Sequence, residues 1–135
     1  MPDPSYGRTA HVAADFATAV AAVREELSAQ GFGVLTEIDV QGTLKAKLGH
    51  DMEDYVILGA CSPPLARRAL EADRSVGLLL PCNVVVRVDG DGVLVQAVEP
   101  NMLVTLTGDG ALAAVAEEAA GRLDAVLAAV QDRFA

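Results

Sequence analysis

The chain has 135 residues, 52% of them apolar, a formal net charge of -9, no Trp and only 4% aromatic residues. This length suits one domain that buries enough apolar surface to fold without disulfide or metal staples. The acidic balance disfavours nucleic acid and anionic membrane surfaces as partners, and so few aromatics leave no base-stacking platform.

Residues 1–6, with two prolines and a serine, read as a disordered tail, and a single domain is expected over 7–135. "GRTAHVAA" (7–14) is a weak strand candidate. Asp15 then stands as N-cap to a helix over 16–29, in which Phe16, Val20, Val23 and Leu27 recur at helical spacing and Gly31 supplies the stop. "GFGVLTEIDV" (31–40) alternates, and the alternation predicts a strand with Phe32, Val34, Thr36, Ile38 and Val40 on one face. "QGTLKAKLG" (41–49) reads as a short helix with Leu44 and Leu48 turned inward, and "HDMED" (50–54) as a polar loop.

"YVILGA" (55–60) is a β-branched run and predicts the next strand. Ser62 followed by Pro63 reads as N-cap and first residue of a helix over 63–72, with Leu65, Ala66 and Leu70 on one side. Pro81 fits the start of a strand. "CNVVVRV" (82–88) and "VLVQAV" (93–98) are joined by "DGDG", which signals a hairpin. A short helix follows Pro100. Asp109 is placed as the cap of a closing helix over 110–132, whose apolar face runs through Leu112, Val115, Ala119, Leu123, Val126, Leu127 and Val130. Gly121 weakens that helix by roughly 1 kcal/mol relative to Ala.

The order β-α-β-α-β-α-β-β-α predicts an α+β fold with helices packed on a mainly antiparallel sheet. The start of the chain has no charged segment ahead of an apolar run, and "SVGLLLPCNVVV" (75–86) is too short, and too broken by Pro81, to span a bilayer. A soluble cytoplasmic protein with reduced thiols is the expectation.

Chemistry concentrates at the two cysteines. Cys61 follows a strand and precedes the Ser62 cap, so it sits beside a helix N-terminus, where unpaired N–H groups favour a thiolate. Cys82 opens the next strand. If the two strands run antiparallel, the end of one and the start of the other share a sheet edge, with Gly59 and Ala60 leaving space and Asn83 offering an amide. The ordinary alternative is that both thiols are small core residues, since free Cys is among the most buried residue types.

The segments "ILGACSPPLARRAL" (57–70) and "LLLPCNVVV" (78–86), with "GFGVLTEIDVQGTLKAKLG" (31–49) upstream and the amphipathic closing helix, resemble a bacterial and archaeal family, domain of unknown function 302. The likeness covers about residues 12–130, and the Gly-Ala-Cys-x-Pro and Leu-Pro-Cys-Asn segments fall in the family's order and spacing. It implies a small α+β fold and a homodimer, and no activity. Relatives often have Asn after the first cysteine where this chain has Ser62. Either residue caps a helix, but a ligand-contact role for that amide does not carry over.

Other sites are weaker. His11, His50, Cys61 and Cys82 show no metal-ligand spacing, so no metal is expected, and no cofactor is indicated. The carboxylates of "HDMED" lack a calcium-loop pattern, and Tyr55 reads as a rim residue. Glu37, on an apolar strand, is expected near Lys45 as a candidate ligand contact, with a surface ion pair as the ordinary reading. No phosphate loop or nucleophile elbow is present. The leading expectation is a cytoplasmic homodimer that binds a small molecule through Cys61, Ser62, Cys82 and Asn83, with Glu37 and Lys45 nearby. A second is a thiol-dependent redox or sulfur enzyme with Cys61 attacking and Cys82 resolving. A third is a structural or interaction protein whose cysteines are core. Whether the protein is an enzyme at all stays open between these.

Overall fold

In the computed structural model, which describes residues 4–135, the valine-rich segments pair into one sheet and the alanine-rich segments coil against it. The elements are β1 (Gly7–Val12), α1 (Phe16–Ala29), β2 (Gly33–Asp39), α2 (Val40–Leu48), β3 (Tyr55–Cys61), α3 (Pro63–Ala72), β4 (Cys82–Asp89), β5 (Gly92–Val98), α4 (Met102–Thr107) and α5 (Ala113–Arg133). Short 3-10 segments cover Arg74–Leu79 and Gly110–Leu112. The strand order is β1-β5-β4-β3-β2 and every neighbouring pair is antiparallel. This is the α+β arrangement expected.

Strand side chains alternate between faces. Leu58 and Ala60 of β3, Val84 and Val86 of β4, and Val93, Val95 and Ala97 of β5 therefore share one face, and all are buried. Helices α1 and α5 close over that face with Val23, Leu27, Leu123, Val126 and Val130. Each such side chain contributes roughly 1.5–3 kcal/mol by leaving water. A second apolar cluster, centred on Leu65, Ala69, Val76, Leu103, Leu112 and Val115, joins α3, α4, both 3-10 segments and the start of α5. The β4–β5 hairpin closes with Asp89 opposite Gly92, and Gly90 takes a φ of 57°, which a two-residue turn of this hand requires.

Helix α1 matches its expected limits, and Asp15 caps it by accepting from the Thr18 amide at 2.8 Å. Strand β2 departs from expectation. Val34 is paired with Ala60, but Thr36 is paired with Gly59 and Glu37 with Leu58, so a bulge at Leu35 shifts the register. An extra residue flips the alternation. Thr36 and Ile38 thus leave the face held by Phe32 and Val34. Asp39 caps α2 by accepting from the Gly42 amide at 2.9 Å, which makes Val40 helical rather than the last strand residue.

Leu44 and Leu48 of α2 do not turn into a core. No residue of α2 is buried and Leu48 is 74% exposed, because the helix lies mainly against β3 and no other element covers its far side. Asp109 caps the 3-10 turn through the Ala111 amide at 2.9 Å, and the closing helix begins only at Ala113. Residues 1–3 of the expected tail lie outside the described residues. Pro4–Tyr6 form a turn held by Gly7 N donating to Pro4 O and Glu99 N donating to Tyr6 O. Among the described residues, no helix is long and apolar enough to cross a membrane.

Candidate functional site

The two apolar clusters do not fuse completely. Between them lies a cavity of about 320 Å³ at the β3–α3 junction. Ala60, Cys61 and Ser62 form its wall on the sheet side, with Cys82 from β4, while Leu65 and Ala69 of α3 face Val115 and Ala119 of α5. The space exists because alanines stand where the two helices approach. Larger side chains there would fill it. Among the described residues, no charged side chain lines it.

Ser62 is the polar exception. It is 4% exposed and its Oγ has no hydrogen-bond partner among the described residues. A serine at this position ordinarily caps its helix by accepting from the amide two or three residues on. Here that residue two on is Pro64, which has no N–H, and no cap bond forms. The backbone carbonyl of Ser62 does accept from the Ala66 amide, at 2.8 Å. The hydroxyl is thus buried without a partner among the described residues, on a residue that lines the cavity.

The same prolines weaken the case for an anion site. Pro63 and Pro64 remove two of the donors that a helix N-terminus offers, and the Ala66 amide is already used. Fewer donors stand behind Cys61 than the simple helix-terminus argument supplies. Burial pushes the Cys82 thiol up to about 11, with nearby Cys61 adding to the shift, so Cys82 stays protonated at neutral pH.

Both cysteines are free thiols and both border the cavity. They are not cross-strand partners. Cys82 is paired with Ala60, and Cys61 with Gly33. Alternation gives Ala60 and Cys82 the same face, and directs Cys61 toward the other. Side chains that diverge in this way are poorly placed for a disulfide.

The remaining expected contacts lie elsewhere. Asn83 follows Cys82 on β4 and is therefore turned to the opposite face of the sheet, where it is exposed near Tyr55 and Gln96. Glu37 does not meet Lys45. The β2 bulge turns Glu37 toward α1, where Arg24 Nη2 donates to its Oε1 at 2.9 Å. Lys45 donates to Asp51 at 2.6 Å across the following loop. Among the described residues, no group of three or more His, Cys, Asp or Glu is placed to hold a metal ion. The sequence reading missed Phe32, Leu103 and Val115 as wall residues. The only local signal was the pairing of small residues, Ala66 and Ala69 on α3 with Ala119 on α5.

The chain matches the family described as "Domain of unknown function DUF302" over residues 8–130. It is also similar to a solved structure, the crystal structure of an uncharacterized conserved DUF302 protein from Bacillus stearothermophilus. The two are 32% identical with a TM-score of 0.85, over 98% of this chain and 100% of that one. No curated protein matches.

Proposed function

The chain belongs to the family of domain of unknown function 302, and from that premise we propose that it binds a small, uncharged, mainly apolar molecule in the cavity at Ser62. The observation that carries this reading is the buried Ser62 hydroxyl, without a partner among the described residues, on a residue that lines an otherwise apolar space. A buried hydroxyl left unsatisfied costs about 1–3 kcal/mol. A ligand bearing one hydroxyl or carbonyl would relieve that cost, and its apolar body would match the walls. A charged ligand would be buried without a counter-ion, which is far more costly.

Size follows from volume. An apolar cavity of about 150 Å³ takes a benzene. At the same allowance of roughly 25 Å³ per carbon, the cavity at Ser62 accepts about a dozen non-hydrogen atoms. The redox reading fits less well, because Cys82 resists ionisation and the pleat separates the two thiols.

The test is calorimetric titration with 2-naphthol, a rigid neutral alcohol of that size. The wild-type protein is expected to bind one equivalent. Ser62→Ala is expected to bind about five- to tenfold more weakly, as loss of one hydrogen bond implies. In urea denaturation without naphthol, the variant should be as stable as wild type or about 1 kcal/mol more stable, since the orphaned hydroxyl is gone. No heat of binding, or a Ser62→Ala protein that binds equally well, removes the reading.

A further inference from the structure

Resting on that binding reading, we infer that the ligand is a straight-chain molecule whose tail passes between Leu80 and Leu103 into a second cavity. That cavity holds about 90 Å³ and lies beyond the first, against Leu79, Met102 and Leu106. Leu80, Cys82 and Leu103 line both spaces, so these three residues are the partition. Two of them are leucines, whose ends rearrange by rotamer change rather than by moving a sheet or helix. Leu80 also ends the 3-10 segment Arg74–Leu79, away from the regular elements.

The charge pattern fits an alkyl tail. Glu99 is the only charged side chain in the described wall of the second cavity, and its carboxylate is taken by Arg8 at 2.8 Å. Leu106, in the same wall, is 62% exposed. A leucine this exposed gives an apolar lip where a chain end can emerge. A compact ring would fill the first cavity and make no use of the second. A linear alcohol, aldehyde or ketone would place its oxygen at Ser62 and thread its chain past the partition. At roughly 25 Å³ per carbon, the second cavity adds about three to four carbons.

The experiment follows n-alkanols of increasing length, from hexanol to tetradecanol, competing against 2-naphthol and read by naphthol fluorescence. Wild type, Leu106→Trp and Met102→Phe are compared. Both substitutions fill the second cavity, and Leu106 is exposed enough that the fold is not at risk. In wild type the affinity is expected to rise about fourfold per methylene along the series. In the variants the rise should stop about three carbons sooner, with hexanol and naphthol binding unchanged. The same stopping point in all three proteins, with naphthol still bound, overturns the chain and leaves the Ser62 cavity standing. Variants that weaken naphthol as much as long alkanols overturn it too, since the second space is then no separate extension. If neither naphthol nor any alkanol binds, the cavity reading and the chain fall together.

Discussion

Cys82 shows what a cysteine's surroundings do to its chemistry. Its thiol borders an apolar cavity and packs against the sheet core, and burial raises its pKa to about 11. Only the thiolate attacks an alkylating reagent. At pH 7 the reactive fraction is then about one in ten thousand, against a few per cent for an ordinary thiol near 8.5. In a Cys61→Ser background, iodoacetamide alkylation of native Cys82 should therefore keep speeding up about tenfold per pH unit past pH 9 and level only near pH 11. The unfolded protein should level off near 8.5. A native profile that levels there too would mean a solvated thiol, and the burial would be wrong. The sequence puts Cys61 and Cys82 at one sheet edge on the condition that their strands run antiparallel, as β3 and β4 do, and both residues border one cavity. It could not show which face each thiol takes, because that depends on pairing Cys82 with Ala60 rather than with Cys61. Asn83 was misplaced by the same omission: one step along a strand reverses the face.

At the scale of elements, β3 carries the most crowded joint. Gly59 lies opposite Asn83 on β4 and Thr36 on β2, and a Cβ added there would run into Thr36 Oγ1 and stand 3.0 Å from Pro81 Cγ. The threonine hydroxyl can rotate away, but the proline ring is held by its own backbone. Gly59→Ala is therefore expected to destabilise the fold by about 1–3 kcal/mol through overpacking, even though alanine suits a strand better than glycine. Urea denaturation measures this directly, and a loss below about 0.5 kcal/mol would mean the strands part easily. Most elements were legible because their signals are local. The Asp15 cap, the valine runs and the "DGDG" turn each act within a few residues. The bulge at Leu35 was not legible, because "GVLTEIDV" alternates without a break and only pairing with β3 reveals the extra residue. Helix α2 failed for a related reason. Its leucines have helical spacing, but spacing does not say whether anything lies opposite, and Leu48 meets solvent.

At the scale of the whole molecule, the candidate site is built from Phe32, the β3–α3 junction, Cys82, Leu103 and α5, which are far apart in the chain. Such a cavity is a property of how two clusters meet and has no sequence signature of its own. The closure of the sheet by α5 is equally non-local. Arg8 of β1 joins Glu99, just past β5, at 2.8 Å and also reaches Asp124 of α5. Burial alone would raise the Glu99 pKa, but hydrogen bonds from Arg8 and from the Asn101 amide outweigh it, and the net shift is downward. A carboxyl group whose folded pKa lies below its unfolded value adds stability above the unfolded pKa, near 4.3 for glutamate, and loses it as pH falls through the folded value. Glu99→Gln keeps the side chain's shape and removes the charge. The variant should be about 1–3 kcal/mol less stable at pH 7, since a partly buried guanidinium loses one of its two charged partners and keeps only Asp124. The gap should begin to close below the ordinary glutamate pKa and shrink as pH falls through the lowered folded value, so urea midpoints of the two proteins should draw together in acid if Arg8 and Glu99 tie β1 to the end of β5. A gap that stays constant from pH 7 to pH 3 would mean that the substitution acts through packing, and that the charge of Glu99 does not stabilise the fold.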